Sequence, residues 1–113
     1  MVKLIKSNMS KKENLLESIN YQKGTIVSRT IINQPLGTVT LFAFDQGQGL
    51  SEHTAPYDAL VYLFDGRADI RISGQTKKLA SGDMIIMPAD QPHSLKAIAR
   101  FKMLLIMIKS KIK

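Results

Sequence analysis

The hydrophobic and polar positions from Thr25 onward follow the pattern of β-strands rather than that of helices. β-Branched and aromatic residues form short runs, and Gly, Pro, Asn and Asp separate these runs. Short strands at this spacing, with turn residues between them, indicate an all-β sandwich or barrel. The predicted strands cover residues 25–33, 37–44, 50–55, 59–65, 68–72, 76–79, 83–87, 92–97 and 101–108.

The residues before this β region have a different pattern. Residues 1–10 are expected to form a loose or strand-like arm, and a short helix is predicted from Ser10 to near Asn20. Ser10 is of a type that caps helices, and Glu13 follows it by three positions, as in a capping box. The helix would place its apolar residues on one face, namely Leu15, Leu16 and Ile19.

Two of the predicted strand regions, residues 59–64 and 103–108, are apolar on both faces. In a lone antiparallel domain one face of a strand meets water and carries polar side chains. The opposite sheet would cover one face, and a second copy of the chain, with or without the N-terminal arm as an extra strand, would cover the other. We therefore expect a homodimer. For the last region a buried terminal helix is the alternative, because periodicity does not separate the two in a short apolar run.

The composition is that of one globular domain. A chain of 113 residues with 44% hydrophobic and 22% charged residues forms a single core. The absence of cysteine excludes disulfides, thiolate metal ligands and cysteine nucleophiles, and it suits a reducing cytoplasm. The first residues are too interrupted for a signal peptide, and no run approaches the roughly 18 apolar residues of a membrane span. We expect a cytoplasmic protein without a membrane partner.

The net charge of +7 raises the question of a nucleic-acid partner. A nucleic-acid surface clusters its cations with stacking aromatic residues, but this chain has no Trp, and Arg29, Arg67 and Arg71 stand singly on or beside the predicted strands. Eight of the twelve lysines lie toward the two ends of the chain, at Lys3, Lys6, Lys11, Lys12, Lys102, Lys109, Lys111 and Lys113. We interpret these ends as solubilising and expect no nucleic-acid partner.

Residues 47–66 and 82–97 are two similar segments, and each holds one of the two histidines, His53 or His93. In the first segment Gly47 is followed by five residues, His53, Thr, Ala55, three residues, Ala59, six residues and Gly66. In the second, Gly82 is followed by five residues, Pro88, Ala, Asp90, two residues, His93, three residues and Ala97. Both spacings resemble the two motifs of the cupin superfamily.

The resemblance implies a single cupin domain with an all-β fold. The fold would be a small β-barrel of jelly-roll type, also called a double-stranded β-helix, preceded by the short arm and the helical turn. Residues 1–23 would be the arm and helix, residues 24–108 the barrel, and residues 109–113 a basic tail.

In cupins the metal is typically held by two histidines and a glutamate of the first motif and by a histidine of the second. Carried over position by position, this chain keeps His53 and His93 but has Ala55 and Ala59 in the other two places. A divalent metal usually needs three or four protein donors. The resemblance therefore implies no essential cofactor. The alternative is a divalent transition metal (Zn, Fe, Mn or Ni) at the two histidines, completed by water or substrate.

Neighbouring carboxylates are poorly placed to replace the missing donors. Side chains alternate along a strand, so Glu52 and Thr54 point outward if His53 and Ala55 point inward. A bulge beside the Pro56–Tyr57 turn is the alternative that would bring Asp58 inward.

The two alanines predict an apolar pocket in which the imidazoles are the main polar groups. Replacing a histidine and a glutamate by alanine removes bulk and charge together, and apolar walls with a few polar atoms are typical of small-molecule sites. The predicted ligand pocket consists of His53, His93, Ala55, Ala59, Val61, Phe42, Met87, Leu95, Met103 and Leu105, with Phe44, Ala97 and Met107 available to complete it.

Three functions are compatible with this pattern. The leading hypothesis is a barrel that binds a small, partly apolar molecule as a sensor or pathway accessory. The first alternative is a cupin enzyme of the isomerase or oxygenase kind, in which His53 and His93 hold a metal or act as acid and base. The second alternative is a structural dimerisation module without a ligand, in which the histidines bond only to each other or to the backbone.

Overall fold

The computed structural model describes residues 10–110, and these form eight β-strands without a helix. Nothing in this part of the chain could cross a membrane as a helix. The strands are β1 (Ile26–Gln34), β2 (Gly37–Phe44), β3 (Gly49–His53), β4 (Tyr57–Ile72), β5 (Gln75–Ala80), β6 (Met84–Met87), β7 (His93–Lys96) and β8 (Phe101–Lys109).

All pairings between these strands are antiparallel, and β4 connects two groups of them. Its first part pairs with β8 and β6, and β2 and β1 continue that sheet beyond β8. Its second part pairs with β5 and β7, and β3 lies beyond β7. The curled sheet closes around one interior, so the predicted all-β barrel is confirmed. The terminal strand is β8, so the alternative of a buried terminal helix is wrong.

Gly66 bends β4 from one sheet into the other. The pairing with β8 shifts by one residue between Leu63 and Asp65, which marks a bulge just before the glycine. Gly66 has a φ of 82°, and a Cβ atom there would overlap the carbonyl oxygen of Arg100. Glycine thus bends the strand instead of ending it, and the prediction of two separate strands, 59–65 and 68–72, is corrected to one.

The helix predicted from Ser10 to near Asn20 is wrong. Asn14 and Leu15 instead accept backbone hydrogen bonds at 3.2 Å from the residues three positions on, which produces two successive turns. The Glu13 carboxylate does not cap a helix, because it accepts two hydrogen bonds from Arg29 on β1, at 2.7 and 3.0 Å. Residues 1–9 of the predicted arm, and residues 111–113 of the predicted tail, lie outside the described residues.

The barrel interior holds the main core, and a smaller cluster covers part of the outer face of the β1-β2-β8-β4 sheet. The Phe44 and Phe101 rings stack inside at 4.4 Å between centroids, and both side chains are fully buried. Outside, Ile19 packs over Leu41, Ala43 and Phe64. The chain's own residues before β1 therefore cover one part of the face for which a second copy was predicted.

Candidate functional site

Two histidines that are far apart in the sequence meet at one end of the barrel. His53 ends β3 and His93 begins β7, and the two residues are opposite each other in the pairing of these strands. Their Nε2 atoms lie 3.1 Å apart, and their ring planes are inclined by 68°. The structure thus brings the two candidate site histidines into direct contact.

A bulge in β3 places both Leu50 and His53 beside the interior. Between the pairs Leu50–Leu95 and His53–His93, β3 contains one residue more than β7. Because the extra residue interrupts the alternation of side chains, Leu50 and His53 both face the interior although they are three positions apart. Strict alternation, counted backward from His53, would point the Leu50 side chain outward, so the sequence prediction missed this residue.

The backbone fixes which nitrogen of each ring carries a hydrogen. The Nδ1 atom of His53 lies 2.8 Å from the carbonyl oxygen of Ser51, and that of His93 lies 3.2 Å from the carbonyl oxygen of Gln91. A carbonyl oxygen only accepts hydrogen bonds, so both Nδ1 atoms donate. Each ring is thereby oriented with its Nε2 atom toward the other.

The two rings differ in their contact with solvent. His93 is only 7% exposed, whereas His53 is an exposed residue and stands at the rim. Burial lowers the pKa of His93 below its usual value of 6.5, the hydrogen bond to Gln91 opposes this change, and a charge on His53 adds to it. His93 therefore resists taking up a positive charge.

A cavity of about 100 Å³ adjoins the histidine pair. Its lining is apolar except for the two imidazoles and Tyr57. The lining residues are Leu50, His53, Ala55, Tyr57, Ala59, Met87, His93, Leu95, Met103, Leu105 and Met107. The most buried among them are Met103, at 1% exposure, and Met87 and Leu95, at 4% each.

Most of the predicted pocket residues line this cavity, but Val61 and Phe42 do not, and neither do Phe44 and Ala97 of the residues expected to complete it. Val61 is fully buried in the core next to the cavity, and Phe42 packs against that core with its ring 6.0 Å from the Phe44 ring. Sequence reasoning missed Leu50 and Tyr57. Tyr57 was treated as a turn residue, but β4 begins there. It lies two positions before Ala59 and therefore shares a face of the strand with it, which was the available signal.

Ala59 provides much of the free space. It lies opposite Met87 on β6 and opposite Met107 on β8, so a methyl group stands between two long side chains. Ala55, in the loop before β4, also lines the cavity. The two alanines therefore occupy the cavity wall at the positions where the cupin motif has metal donors.

The residues at this site do not fit the metal of the family. Asp58 is turned away, because its Oδ1 atom accepts a hydrogen bond of 2.9 Å from the backbone N–H of Ala89, so the alternative of an inward Asp58 is wrong. Within residues 10–110, no three His, Cys, Asp or Glu side chains come together as a metal-binding group. Two imidazoles that contact each other supply fewer donors than a transition-metal site requires.

Comparison with solved structures finds the same fold in other proteins. A conserved protein of unknown function, SPY1581 from Streptococcus pyogenes, is 32% identical with a TM-score of 0.88, and the match covers 98% of this chain and 96% of that one. A cupin 2 conserved barrel domain protein from Leptotrichia buccalis is 37% identical with a TM-score of 0.83, covering 86% of this chain and 47% of that one.

A curated relative is more distant. It is the polyketide synthase CurC of Streptomyces cyaneus, which is 25% identical over 75 residues, or 66% of this chain. The matched part spans about half of that relative, 49% of its length. The model of the cupin domain family matches residues 40–109, which include both histidines and seven of the eight strands in whole or in part. The chain therefore belongs to the cupin family.

Proposed function

We propose that this cupin binds a small, partly apolar molecule in the cavity beside His53 and His93, without an essential metal. The observation that carries the proposal is the combination of an apolar cavity with two oriented Nε2 atoms at its rim. Apolar walls bind the body of a ligand, and a few fixed polar atoms orient it. The exposed ring of His53 places these polar atoms where a ligand would enter.

The lining supports a small ligand. A cavity of about 100 Å³ accepts a group of only a few heavy atoms, since drug-sized ligands occupy sites of several hundred Å³. Three lining side chains are methionines, Met87, Met103 and Met107. Methionine is flexible and polarisable, so these walls can adjust to the shape of a ligand.

The metal-dependent enzyme considered above is not favoured. The donor set at the site is two imidazoles, which is fewer than the three or four protein donors that a divalent metal usually needs. A protein that binds a ligand without catalysing a reaction needs only an apolar cavity and a few polar atoms to orient the ligand, and both are present. We therefore assign the site to binding.

A thermal-shift screen with small organic acids, amides, alcohols and ketones tests the proposal. We expect some compounds to raise the melting temperature of the wild-type protein and to have no effect on an Ala59→Phe variant, whose new ring would fill the space between Met87 and Met107. Ala80→Phe is the matched control, because Ala80 is exposed on β5. Hits that Ala59→Phe retains would place binding elsewhere and refute the proposal.

We also propose that the cupin forms a homodimer through an outer patch, defined as Met84, Ile86, Leu60, Ile106 and Ile108. Leu60 is opposite both Ile86 and Ile106 in the sheet, so the patch is continuous across β6, β4 and β8. Met84, Ile86 and Ile108 are 70%, 61% and 60% exposed. The patch is uncharged on a chain of net charge +7, so two copies can meet there without like-charge repulsion.

A further inference from the structure

The sheet of β5, the second part of β4, β7 and β3 has a basic outer face. Ala68 and Ile70 of β4 are buried in the barrel interior, so the residues that alternate with them point outward. These residues are Arg67, Asp69 and Arg71, and both arginines are exposed. The outer patch lies on the other sheet, so one side of the barrel is apolar and the other is basic.

Asp69 stands at the centre of four cations. Arg67 and Arg71 lie on either side of it along β4, each roughly 7 Å away, because a strand rises about 3.3 Å per residue. Lys78 of β5 and Lys96 of β7 are directly opposite Asp69 on the two neighbouring strands. We call these five residues the basic face.

One carboxylate does not balance the four cations. Asp69 forms an ion pair with Lys78 at 3.5 Å, but the Lys78 side chain remains 82% exposed. Within residues 10–110, the other three cations of the basic face have no ion-pair partner. The four strands add one cation, Lys77, and one carboxylate, Glu52, so three positive charges stay unbalanced. Like charges at this spacing repel one another, and an anionic partner removes that repulsion.

A groove of about 170 Å³ adjoins the basic face. Its charged lining residues belong to the basic face, and its apolar lining residues are Ala68, Leu79, Ala80 and Ile98. Ile98 is 45% exposed, so the groove offers an apolar contact directly beside the cations. A protein side chain can fill such a groove, whereas a nucleic acid has no aliphatic side chain to place there. The basic face also contains no aromatic residue on which a base could stack.

We propose that the basic face binds an acidic, extended segment of another protein, with an apolar residue of that segment in the groove. The two arginines are four positions apart on β4, or about 13 Å, which is the distance between side chains four positions apart in an extended segment. Each guanidinium can hold one carboxylate through two hydrogen bonds. Asp69 lies between Arg67 and Arg71, so it disfavours a third carboxylate and accepts a hydrogen bond from a serine or threonine there.

The basic face is separate from the cavity beside His53 and His93, because no residue belongs to both. The acidic partner is therefore independent of the small ligand. In a dimer formed through the outer patch, each copy would present its basic face outward, since the two sheets enclose the interior between them.

A fluorescent peptide tests the proposal by anisotropy at low ionic strength. It has an isoleucine followed by two glutamates four positions apart, with a serine midway between them. We expect it to bind the wild-type protein about fivefold or more tightly than the same peptide with glutamines, as two exposed ion pairs imply. This preference should shrink as salt is added, because the charges are exposed to solvent.

Variants of the basic face locate the binding. Arg67→Gln combined with Arg71→Gln should abolish the preference for the glutamate peptide. Lys12→Gln combined with Lys23→Gln is the matched control, because it removes the same charge at exposed positions outside the basic face and should leave the preference intact. Asp69→Asn removes the central carboxylate and should tighten binding of the glutamate peptide, which is a gain that misfolding does not produce.

Several outcomes would overturn the proposal. Equal affinities for the two peptides, or no binding of either, would show that the basic face does not recognise carboxylates. An equal loss in the control variant would show only a general attraction by the net charge. Tighter binding of duplex DNA, or of vesicles that contain phosphatidylserine, with a loss in the double arginine variant, would assign the face to a nucleic acid or to a membrane instead.

Discussion

His53 and His93 contact each other through their Nε2 atoms at 3.1 Å, although 40 positions separate them in the sequence. The contact depends on the pairing of β3 with β7 and on the bulge that turns His53 toward the interior. The Nδ1 atom of each ring also hydrogen-bonds to the backbone carbonyl oxygen of the residue two positions earlier in the chain. The pair is therefore oriented by backbone atoms, and its geometry does not require a bound ligand.

Acidification should weaken the fold through His93. Its pKa lies below the usual 6.5 in the folded protein, chiefly because of burial, so the unfolded chain binds more protons as the pH falls below that value. The free energy of unfolding should therefore decrease as the pH falls from about 6.5, and be fully retained above it. Urea unfolding followed between about pH 8 and about pH 5.5 measures this dependence.

A His93→Gln variant provides the comparison for that measurement. It removes the titrating group, so its stability should depend less on pH over the same range. If wild type and variant lose stability in parallel on acidification, another group is responsible, and the assignment to His93 is wrong.

The protein should not depend on a transition metal for stability. Because the site offers only two imidazole donors, chelation should leave the melting temperature of untagged protein unchanged. Elemental analysis after expression with added Zn, Fe, Mn or Ni should find less than one metal ion per chain. A stoichiometric metal that disappears in both His53→Ala and His93→Ala would contradict this prediction and favour the enzyme alternative.

Gly66 should be among the least replaceable residues of the barrel. Gly66→Ala combines a positive φ with an overlap on the carbonyl oxygen of Arg100, and we expect a loss of more than about 4 kcal/mol or no folding. Gly74→Ala is the control, because Gly74 has the same φ of 82° and nothing within 4 Å of the added Cβ. It should cost about 1–2 kcal/mol. Similar losses in the two variants would show that the bend at Gly66 is not tightly packed.

The outer patch predicts a concentration-dependent dimer. Ile86→Lys places a charge at the centre of the uncharged patch, so two copies would bring like charges together and should remain monomers. Multi-angle light scattering after size-exclusion chromatography measures the mass directly. Thr76→Lys, at an exposed position of β5, is the control and should stay dimeric. A wild-type protein that is monomeric at high concentration would refute the dimer.

The sequence alone was sufficient for the fold class and for most of the cavity wall. Short runs with turn residues between them indicate an all-β sandwich or barrel, because strand length and turn chemistry are local properties, and the resemblance to the cupin motifs implied the barrel. The resemblance of the spacing around His53 and His93 to the cupin motifs implied that these residues, Ala55 and Ala59 lie together. Alternation along β4 then identified inward positions, although it did not separate cavity lining from the solid core at Val61.

The tertiary structure decided the features that depend on contacts between distant segments. The helix predicted after Ser10 does not form because Glu13 bonds to Arg29 and Ile19 packs on the sheet, and such contacts outweigh a weak local propensity. The β3 bulge, which brings in Leu50, is a property of its pairing with β7. The contact between the two imidazoles likewise follows from the pairing of β3 with β7, which only the folded chain brings about.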